Sequence, residues 1–337
     1  MDIRAAIARV AARDSLSESE MEAVVCQLMD GAATAAQIGG LLIALRMKGE
    51  TVDEITGAAR AMRTRAAHIQ PRAAVVVDTC GTGGDQRGTF NISTAAAFIA
   101  AGAGLTVAKH GNRAMSGTVG GADVLETLGV KIDLPPERVA ACIDAVGIGF
   151  LFAPVFHPAM RHAAGPRREL GVRTMFNLLG PLSNPANARH QVVGVFAADW
   201  TEPLAHALGR LGSKHALVVH GEDGLDEISL AATTQISEWH DGALRTYRVT
   251  PEDFGFQRCR GGDLDGGDVN TAASILHGIL AGATGPCSDV AVLNAAAAIY
   301  TGGQAPSIAA AVDPARDSIR SGRARHKLSQ LIECTNR

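Results

Sequence analysis

Two rhythms of apolar and polar positions run along this chain. Over the first seventy residues the rhythm is helical: Met21, Val24, Val25 and Leu28 fall at i, i+3, i+4 and i+7, which builds one apolar helix face. Ser17 with Glu20, Thr34 with Gln37, and Thr51 with Glu54 have the spacing of reciprocal N-terminal caps, and Gly31 and Gly49 stand where the preceding helices should stop. The stretch Ile38 to Met47 is apolar almost all round, so this helix is expected to be buried or paired with a second subunit. A purely intramolecular bundle would satisfy the same pattern.

After Gln70-Pro71 short apolar runs take over. Strands are predicted at Ala73–Val77, Leu105–Ala108, Val130–Asp133, Phe150–Val155, Gln191–Ala197 and Ala216–His220, with a hairpin at Gln235–Val249. Between them fall helical stretches at Ile92–Ala101, Gly121–Leu128, Pro135 to about Val146, and Glu202–Leu211. His157 to Leu179 has helical spacing and is rich in arginine, and three alanine-rich runs follow between about Val269 and Ile332. Alternating β and α elements behind a helical cap predict an α/β fold, with a small N-terminal helical domain and a large domain built on a central, mostly parallel sheet.

Chemistry concentrates after the first strand. Asp78-Thr79-Cys80-Gly81-Thr82-Gly83-Gly84-Asp85 places three glycines within four positions, and Asn91-Ile92-Ser93-Thr94 opens the next helix, with Asn91 or Ser93 as its cap. A strand, a glycine loop and a helix N-terminus form an anion site, because backbone N–H groups and the helix dipole both face the ligand. The loop is neither a Walker A sequence nor a dinucleotide fingerprint: Thr89-Phe90 follows Gly88, and Gln86 stands where a third glycine or alanine belongs. The second strand runs into Lys109-His110-Gly111-Asn112-Arg113, so both segments end at the carboxyl edge of a parallel pair, where open sheets bind ligands.

These motifs, together with the run Arg168-Glu169-Leu170-Gly171-Val172-Arg173-Thr174-Met175-Phe176-Asn177-Leu178-Leu179-Gly180-Pro181-Leu182, occur in one order. Through them nearly the whole chain resembles the anthranilate phosphoribosyltransferases, which share their fold with the pyrimidine nucleoside phosphorylases. The resemblance implies transfer of the phosphoribosyl group of 5-phosphoribosyl 1-pyrophosphate (PRPP) to the amine of anthranilate in tryptophan biosynthesis. It also implies a Mg²⁺ cofactor and a homodimer joined through the helical domain, with any anthranilate synthase partner a separate chain; a cytoplasmic location is expected from the cysteines and the N-terminal residues themselves. The helical domain would comprise residues 1–70 with a returning segment at about 157–181. The α/β domain would comprise 71–156 and 182–337.

Residue by residue, the resemblance assigns PRPP to Gly81, Gly84, Asp85, Thr89, Asn91, Ser93, Thr94, Lys109, His110, Gly111, Asn112, Arg113, Ser116, Gly117 and Gly121. It assigns anthranilate to Gly81, Asn112, His157, Arg167 and Gly180, and the metal to Ser93, Asp226 and Glu227. Physical chemistry agrees with the residue types. Loop N–H groups, the Thr89 and Thr94 hydroxyls and the Lys109 ammonium suit phosphate, hard carboxylate oxygens suit Mg²⁺, and a planar guanidinium suits a planar carboxylate. Arg161, Arg168 and Arg173 compete with Arg167 in the same stretch and read as solvated or helix-pairing charges, and no dedicated catalytic residue is expected. The family usually has serine where Gly117 and Gly121 stand, and valine is common where Pro166 stands. Losing a hydroxyl donor costs about 0.5–1.5 kcal/mol, which implies PRPP binding weakened several-fold.

Composition removes other classes. The formal charge of −3 and the absence of a basic tract argue against a nucleic-acid-binding paralogue. The remaining alternatives are a nucleoside phosphorylase and a transferase for another aromatic acceptor. Six scattered cysteines without ligand spacing read as buried thiols of a reducing compartment. Residues 1–20 lack the apolar core of a signal peptide, and the uncharged Thr89–Ala108 stretch carries too many polar and glycine positions for a membrane span.

Overall fold

The computed structural model describes residues 1–84, 87–114 and 119–337. Four helices come first: α1 (Ile3–Ala11), α2 (Glu18–Met29), α3 (Ala35–Lys48) and α4 (Val52–Thr64). All three reciprocal caps form, at Ser17/Glu20, Thr34/Gln37 and Thr51/Glu54. Glu54 also receives the Leu16 N–H at 3.0 Å and pairs with Lys48 at 2.9 Å, so the buried carboxylate of one cap locks three segments together.

The α/β part runs β1 (Val76–Gly81), α5 (Ile92–Gly102), β2 (Thr106–Gly111), α6 (Gly121–Thr127), α7 (Pro136–Val146) and β3 (Ile148–Phe152). Three helices, α8 (Ala153–Phe156), α9 (Arg161–Leu170) and α10 (Phe176–Leu182), then lead to β4 (His190–Gly194), α11 (Thr201–Arg210) and β5 (His215–Gly221). The hairpin is β6 (Thr234–His240) and β7 (Ala243–Val249), and α12 (Val269–Leu280), α13 (Pro286–Thr301), α14 (Ile308–Arg320) and α15 (Arg323–Asn336) follow.

The seven strands form one sheet in the order β3-β2-β1-β4-β5-β6-β7. The first five are parallel to one another, and β6 and β7 add antiparallel. Strand residues alternate between two cores, as a sheet covered on both faces requires. Val77, Val192, Leu217 and Val219 face α5 and the C-terminal helices, while Cys80, Val193, Ala216 and Val218 face α11 and the helical bundle. From β1 the chain steps outward through β2 to β3, then returns to lay β4 on the other side of β1. That reversal opens a crevice at the carboxyl ends of β1 and β4.

Several predicted elements shift. β1 starts three residues after Ala73 and runs through Asp78-Thr79-Cys80 to Gly81, because those residues pair with β4 in register from Val77↔His190 to Gly81↔Gly194. β2 likewise takes in Lys109-His110-Gly111. Val130–Asp133 is not a strand. Its alternation is real, with Val130 and Ile132 buried, but its N–H groups go to helices: Val130 to the Leu125 carbonyl at 2.9 Å and Lys131 to Thr335 Oγ1 at 3.2 Å. β3 ends at Phe152 because Pro154 starts a helical turn. The arginine-rich stretch breaks at Gly171, which has a φ of 61°, and the C-terminal region holds four helices where three were predicted.

Candidate active site

The crevice at β1 and β4 is framed by two glycines that end those strands. A Cβ on Gly194 would collide with the Asp226 carbonyl oxygen, and one on Gly81 would lie 2.9 Å from Asp226 Oδ2. The bare backbone therefore admits the acidic segment that follows β5. Asp226 Oδ2 accepts the Gly83 N–H at 3.1 Å, and Glu227 Oε1 accepts the Ser93 N–H at 3.0 Å. Both carboxylates thus border the glycine loop and the first turn of α5. Asn91 enters that turn with φ 67° and ψ 61°, a left-handed conformation that costs energy for a non-glycine residue and is stabilised here by Asn91 Nδ2 donating to the Val119 carbonyl at 3.2 Å.

Lys109 approaches from β2. Its buried ammonium donates to the Thr79 carbonyl and to Ser93 Oγ, the latter at 3.1 Å. Burial pulls its pKa down, while Asp78, Cys80, Glu227 and Asp226 act to keep it charged. Asp78 is fully buried. Burial raises its pKa, and it accepts Asn184 Nδ2 at 2.7 Å and the His110 N–H at 3.0 Å. Asn184 also donates to the Ala108 carbonyl at 2.9 Å, so β1, β2 and the segment after α10 meet on one carboxylate.

A second group gathers between β2 and the helices leading to β4. The rings of His110 and His157 lie 5.1 Å apart, and His110 Nδ1 contacts the Gly180 carbonyl at 3.1 Å. Burial drives the His110 pKa down to about 3 and the His157 pKa down to about 4, so both imidazoles are neutral at pH 7. His110 Nε2 and Thr174 Oγ1 are buried without a hydrogen-bond partner among the described residues, and the His157 ring is buried beside the Ser183 backbone. Arg167 on α9 lies over the Phe176 ring at 5.2 Å and forms no ion pair among the described residues. Burial lowers its pKa. A half-buried guanidinium held only by an aromatic face is a cation placed to receive an anion.

The other expected residues divide. Thr94 is buried in α5 with Oγ1 unpartnered among the described residues, and a Cβ on Gly121 would come within 3.2 Å of that oxygen. Thr89 forms an isolated bridge with Asp265, while Gly111 ends β2 against the Phe150 ring. Asn112 Oδ1 accepts the Arg113 N–H at 2.8 Å. Arg113 itself is paired with Asp123 and Glu126 of α6, both at 2.8 Å, and lies over Phe152. Asp85, Ser116 and Gly117 lie outside the described residues. Three residues at the site were given no functional role from sequence. Asp78 and Asn184 form the buried hub, and Arg173, expected to be solvated or helix-pairing, donates to the Gly84 carbonyl and lies over the Phe196 ring at 4.5 Å. Asp78 reads in the sequence as the start of the loop, and only the extension of β1 to Gly81 places its charge inside a strand.

A second cluster, His215, Glu238 and His240, lies where β5 begins. Glu238 accepts His215 at 2.8 Å, Tyr300 at 2.7 Å, Tyr247 at 2.8 Å and Arg245 at 3.0 Å. Those donors depress its pKa to about 2 against the opposing effect of burial. This carboxylate is saturated by hydrogen bonds, at the edge of the sheet opposite the crevice.

A helical bundle ahead of a doubly covered sheet, with a buried lysine, a helix N-terminus and two carboxylates at the strand reversal, defines a two-domain glycosyl transferase. Residues 4–66 match the glycosyl transferase family's helical bundle domain and residues 73–325 its a/b domain. The anthranilate phosphoribosyltransferase of Thioalkalivibrio sulfidiphilus is 54% identical over 335 residues, covering 99% of each chain. The crystal structure of the Thermus thermophilus enzyme of that name superposes with a TM-score of 0.94 at 44% identity, over 98% of this chain and 99% of that one. The Saccharomyces cerevisiae enzyme, solved in complex with PRPP and Mg, superposes with a TM-score of 0.90 at 27% identity, over 99% and 98%. The chain belongs to the anthranilate phosphoribosyltransferase family.

Proposed function

We propose that the protein joins anthranilate to the phosphoribosyl group of PRPP, releasing pyrophosphate, as a step of tryptophan biosynthesis. The observation that carries this reading is the convergence, at one strand reversal, of a buried lysine, two carboxylates and a helix N-terminus. Beside them, on the adjoining helical connection, stands an arginine with no carboxylate partner among the described residues. The bond that forms joins the amine nitrogen to C1 of the ribose, and the bond that breaks joins C1 to the pyrophosphate oxygen. The amine is neutral at pH 7, so the chain's residues act by positioning and charge.

In this reading the N–H groups of the glycine loop and of the first turn of α5, the Thr89 and Thr94 hydroxyls and Lys109 receive PRPP. Arg167 takes the acceptor's carboxylate, while Nε2 of His110 and the His157 ring line the acceptor slot together with Asn112, Gly81 and Gly180. Neutral imidazoles suit the slot, since an imidazolium would repel the positive charge that develops on the sugar. The donor set of Ser93, Asp226 and Glu227 is all hard oxygen and borders the phosphate loop, so it fits Mg²⁺. When bound, Mg²⁺ would neutralise charge on the pyrophosphate.

The cytoplasmic homodimer belongs to the same proposal. α3 leaves Met47 67% exposed, and Val172 is 45% exposed beyond α9, against which α3 packs. That apolar surface suits a second copy of the chain. Among the described residues no helix is long and apolar enough to cross a membrane. The helical domain is proposed to span residues 1–70 with about 157–181, closing over the acceptor on connections at Pro71, His157 and Pro181.

Anthranilate fluorescence tests the reading. The signal should fall only when protein, PRPP and Mg²⁺ are all present, and the fall should vanish in an Asp226→Ala/Glu227→Ala double variant. No fall at any concentration, or an equal rate in the double variant, would overturn it.

A further inference from the structure

The six cysteines are free thiols, yet two of them touch. Cys142 Sγ on α7 and Cys334 Sγ on α15 are 2.8 Å apart, inside the van der Waals contact of two sulfur atoms, across 192 positions of sequence. Among the described residues no other pair of cysteine thiols is hydrogen-bonded to each other. The helices that carry them are fixed on every side of the pair. Arg138 donates to the Cys334 carbonyl at 3.2 Å, Lys131 N–H to Thr335 Oγ1 at 3.2 Å, Asn336 to the Gly129 carbonyl at 2.9 Å, and Lys327 to the Val146 carbonyl at 2.5 Å. Cys142 also shares the buried face of α7 with Val139, Ile143 and Val146. Contact framed this firmly lets a covalent bond form with little rearrangement, the condition that separates compatible cysteine pairs from incompatible ones.

We propose that Cys142 and Cys334 form a reversible disulfide that clasps the C-terminal helix to α7 when the protein meets a low-molecular-weight disulfide. Cys334 is the partly exposed member and reacts first. Its thiolate attacks one sulfur of the small disulfide, expelling one small thiol and leaving a mixed disulfide at Cys334. Cys142, 1% exposed, then loses its proton and attacks Cys334 Sγ, and the second small thiol departs. Two protein thiols give up two electrons and two protons, and the small disulfide is reduced to two thiols. Burial and the neighbouring sulfur hold the Cys142 pKa up at about 12. Conversion of Cys334 to the mixed disulfide removes the neighbour's contribution just before Cys142 must ionise.

The clasp closes a very long loop around a helix that packs against α5, α7 and β3, so it restricts the unfolded chain strongly. Neither sulfur belongs to the candidate active site, and turnover should persist. The test incubates the full-length protein with oxidised glutathione, then measures intact mass, a non-reducing peptide map and thermal unfolding. The expected result is loss of the mass of two hydrogen atoms, a Cys142–Cys334 linked peptide, and a melting temperature raised by about 5 °C and restored by dithiothreitol. A Cys334→Ser variant should show none of these, and Cys142→Ala serves if that variant folds poorly. A persistent glutathione adduct at Cys334, both thiols still open to alkylation, or a linkage of Cys259 to Cys287 in their place would overturn the proposal.

Discussion

Arg167→Met separates folding from acceptor binding in a way that few substitutions at this site can. In the free protein the guanidinium is half-buried, lies 5.2 Å from the Phe176 ring, and has no carboxylate partner among the described residues. A desolvated cation without a counter-charge works against the fold. Methionine keeps an unbranched apolar stem on Phe176 and removes the charge, while the lost cation–π contact costs about 0.5–1 kcal/mol. The two effects oppose each other, so the melting temperature of Arg167→Met should stay within a few degrees of the parent or rise.

Binding should behave differently. A bidentate pair between guanidinium and carboxylate contributes about 1.5–3 kcal/mol, so its loss should raise the KM for anthranilate about 10- to 150-fold. The contact lies away from the reacting nitrogen and is the same in ground and transition states, so kcat should change little. The assay follows anthranilate fluorescence at saturating PRPP, alongside thermal unfolding. Aniline, which lacks the carboxylate, supplies the second arm of a double cycle, and parent and variant should use it equally poorly. An unchanged KM for anthranilate, or an altered KM for PRPP alone, would refute the assignment. A large fall in melting temperature would show that the guanidinium is structural.

Lys109→Met leaves the buried Asp78 without its main positive neighbour and should destabilise the fold by about 3–5 kcal/mol, measured by urea titration; adding Asp78→Asn should restore much of the stability but no turnover. His110 and His157 are held at about 3 and about 4, below the ordinary value of 6.5, so the unfolded chain binds protons that the native chain refuses. Their contribution is complete above about pH 6.5 and shrinks as the pH falls toward 4 and then 3, with about 2–4 kcal/mol lost from the pair by pH 5; a His110→Gln/His157→Gln variant should show a flatter stability profile over that window. Gly121→Ser places a hydroxyl beside the unpartnered Thr94 Oγ1 and should lower the KM for PRPP about 2- to 10-fold, whereas an unchanged or higher value would mean that the 3.2 Å approach is too tight.

The parts of the site that sequence made legible are those written in consecutive residues. The glycine loop, the Asn91–Thr94 helix start and Lys109 each announce themselves within about five positions, and the fold delivers them to one crevice because β1 and β2 are parallel neighbours. Arg113 has partners that its motif position did not announce: Asp123 and Glu126, one turn apart on α6, pair with it. Asp78, Asn184 and Arg173 were opaque for the opposite reason: each acts through contacts at long sequence separation. Asn184 reaches Asp78 across 106 positions, and Arg173 reaches Gly84 across 89. Val130–Asp133 failed in the same way, since alternation records which side chains are buried and says nothing about whether a neighbouring strand is there to pair.

Those long-range contacts also constrain how the helical bundle can move against the glycine loop. Asn184, three residues beyond Pro181, is fastened to Asp78 and to the Ala108 carbonyl, so the chain from there into β4 moves with the sheet. Upstream, the Arg173 backbone carbonyl receives Arg46 of α3 while its side chain holds Gly84 of the glycine loop. One residue therefore touches the helical bundle with its backbone and the glycine loop with its guanidinium. A closing motion that pivots near Pro181 must carry Arg173 with the bundle, and it must then drag or release the glycine loop. The His110 contact to the Gly180 carbonyl lies at the pivot itself, where rotation changes distance least. Under the proposed function, the phosphates of PRPP arriving at the glycine loop would compete with the Gly84 carbonyl for the Arg173 guanidinium, which would loosen the loop's tie to the bundle.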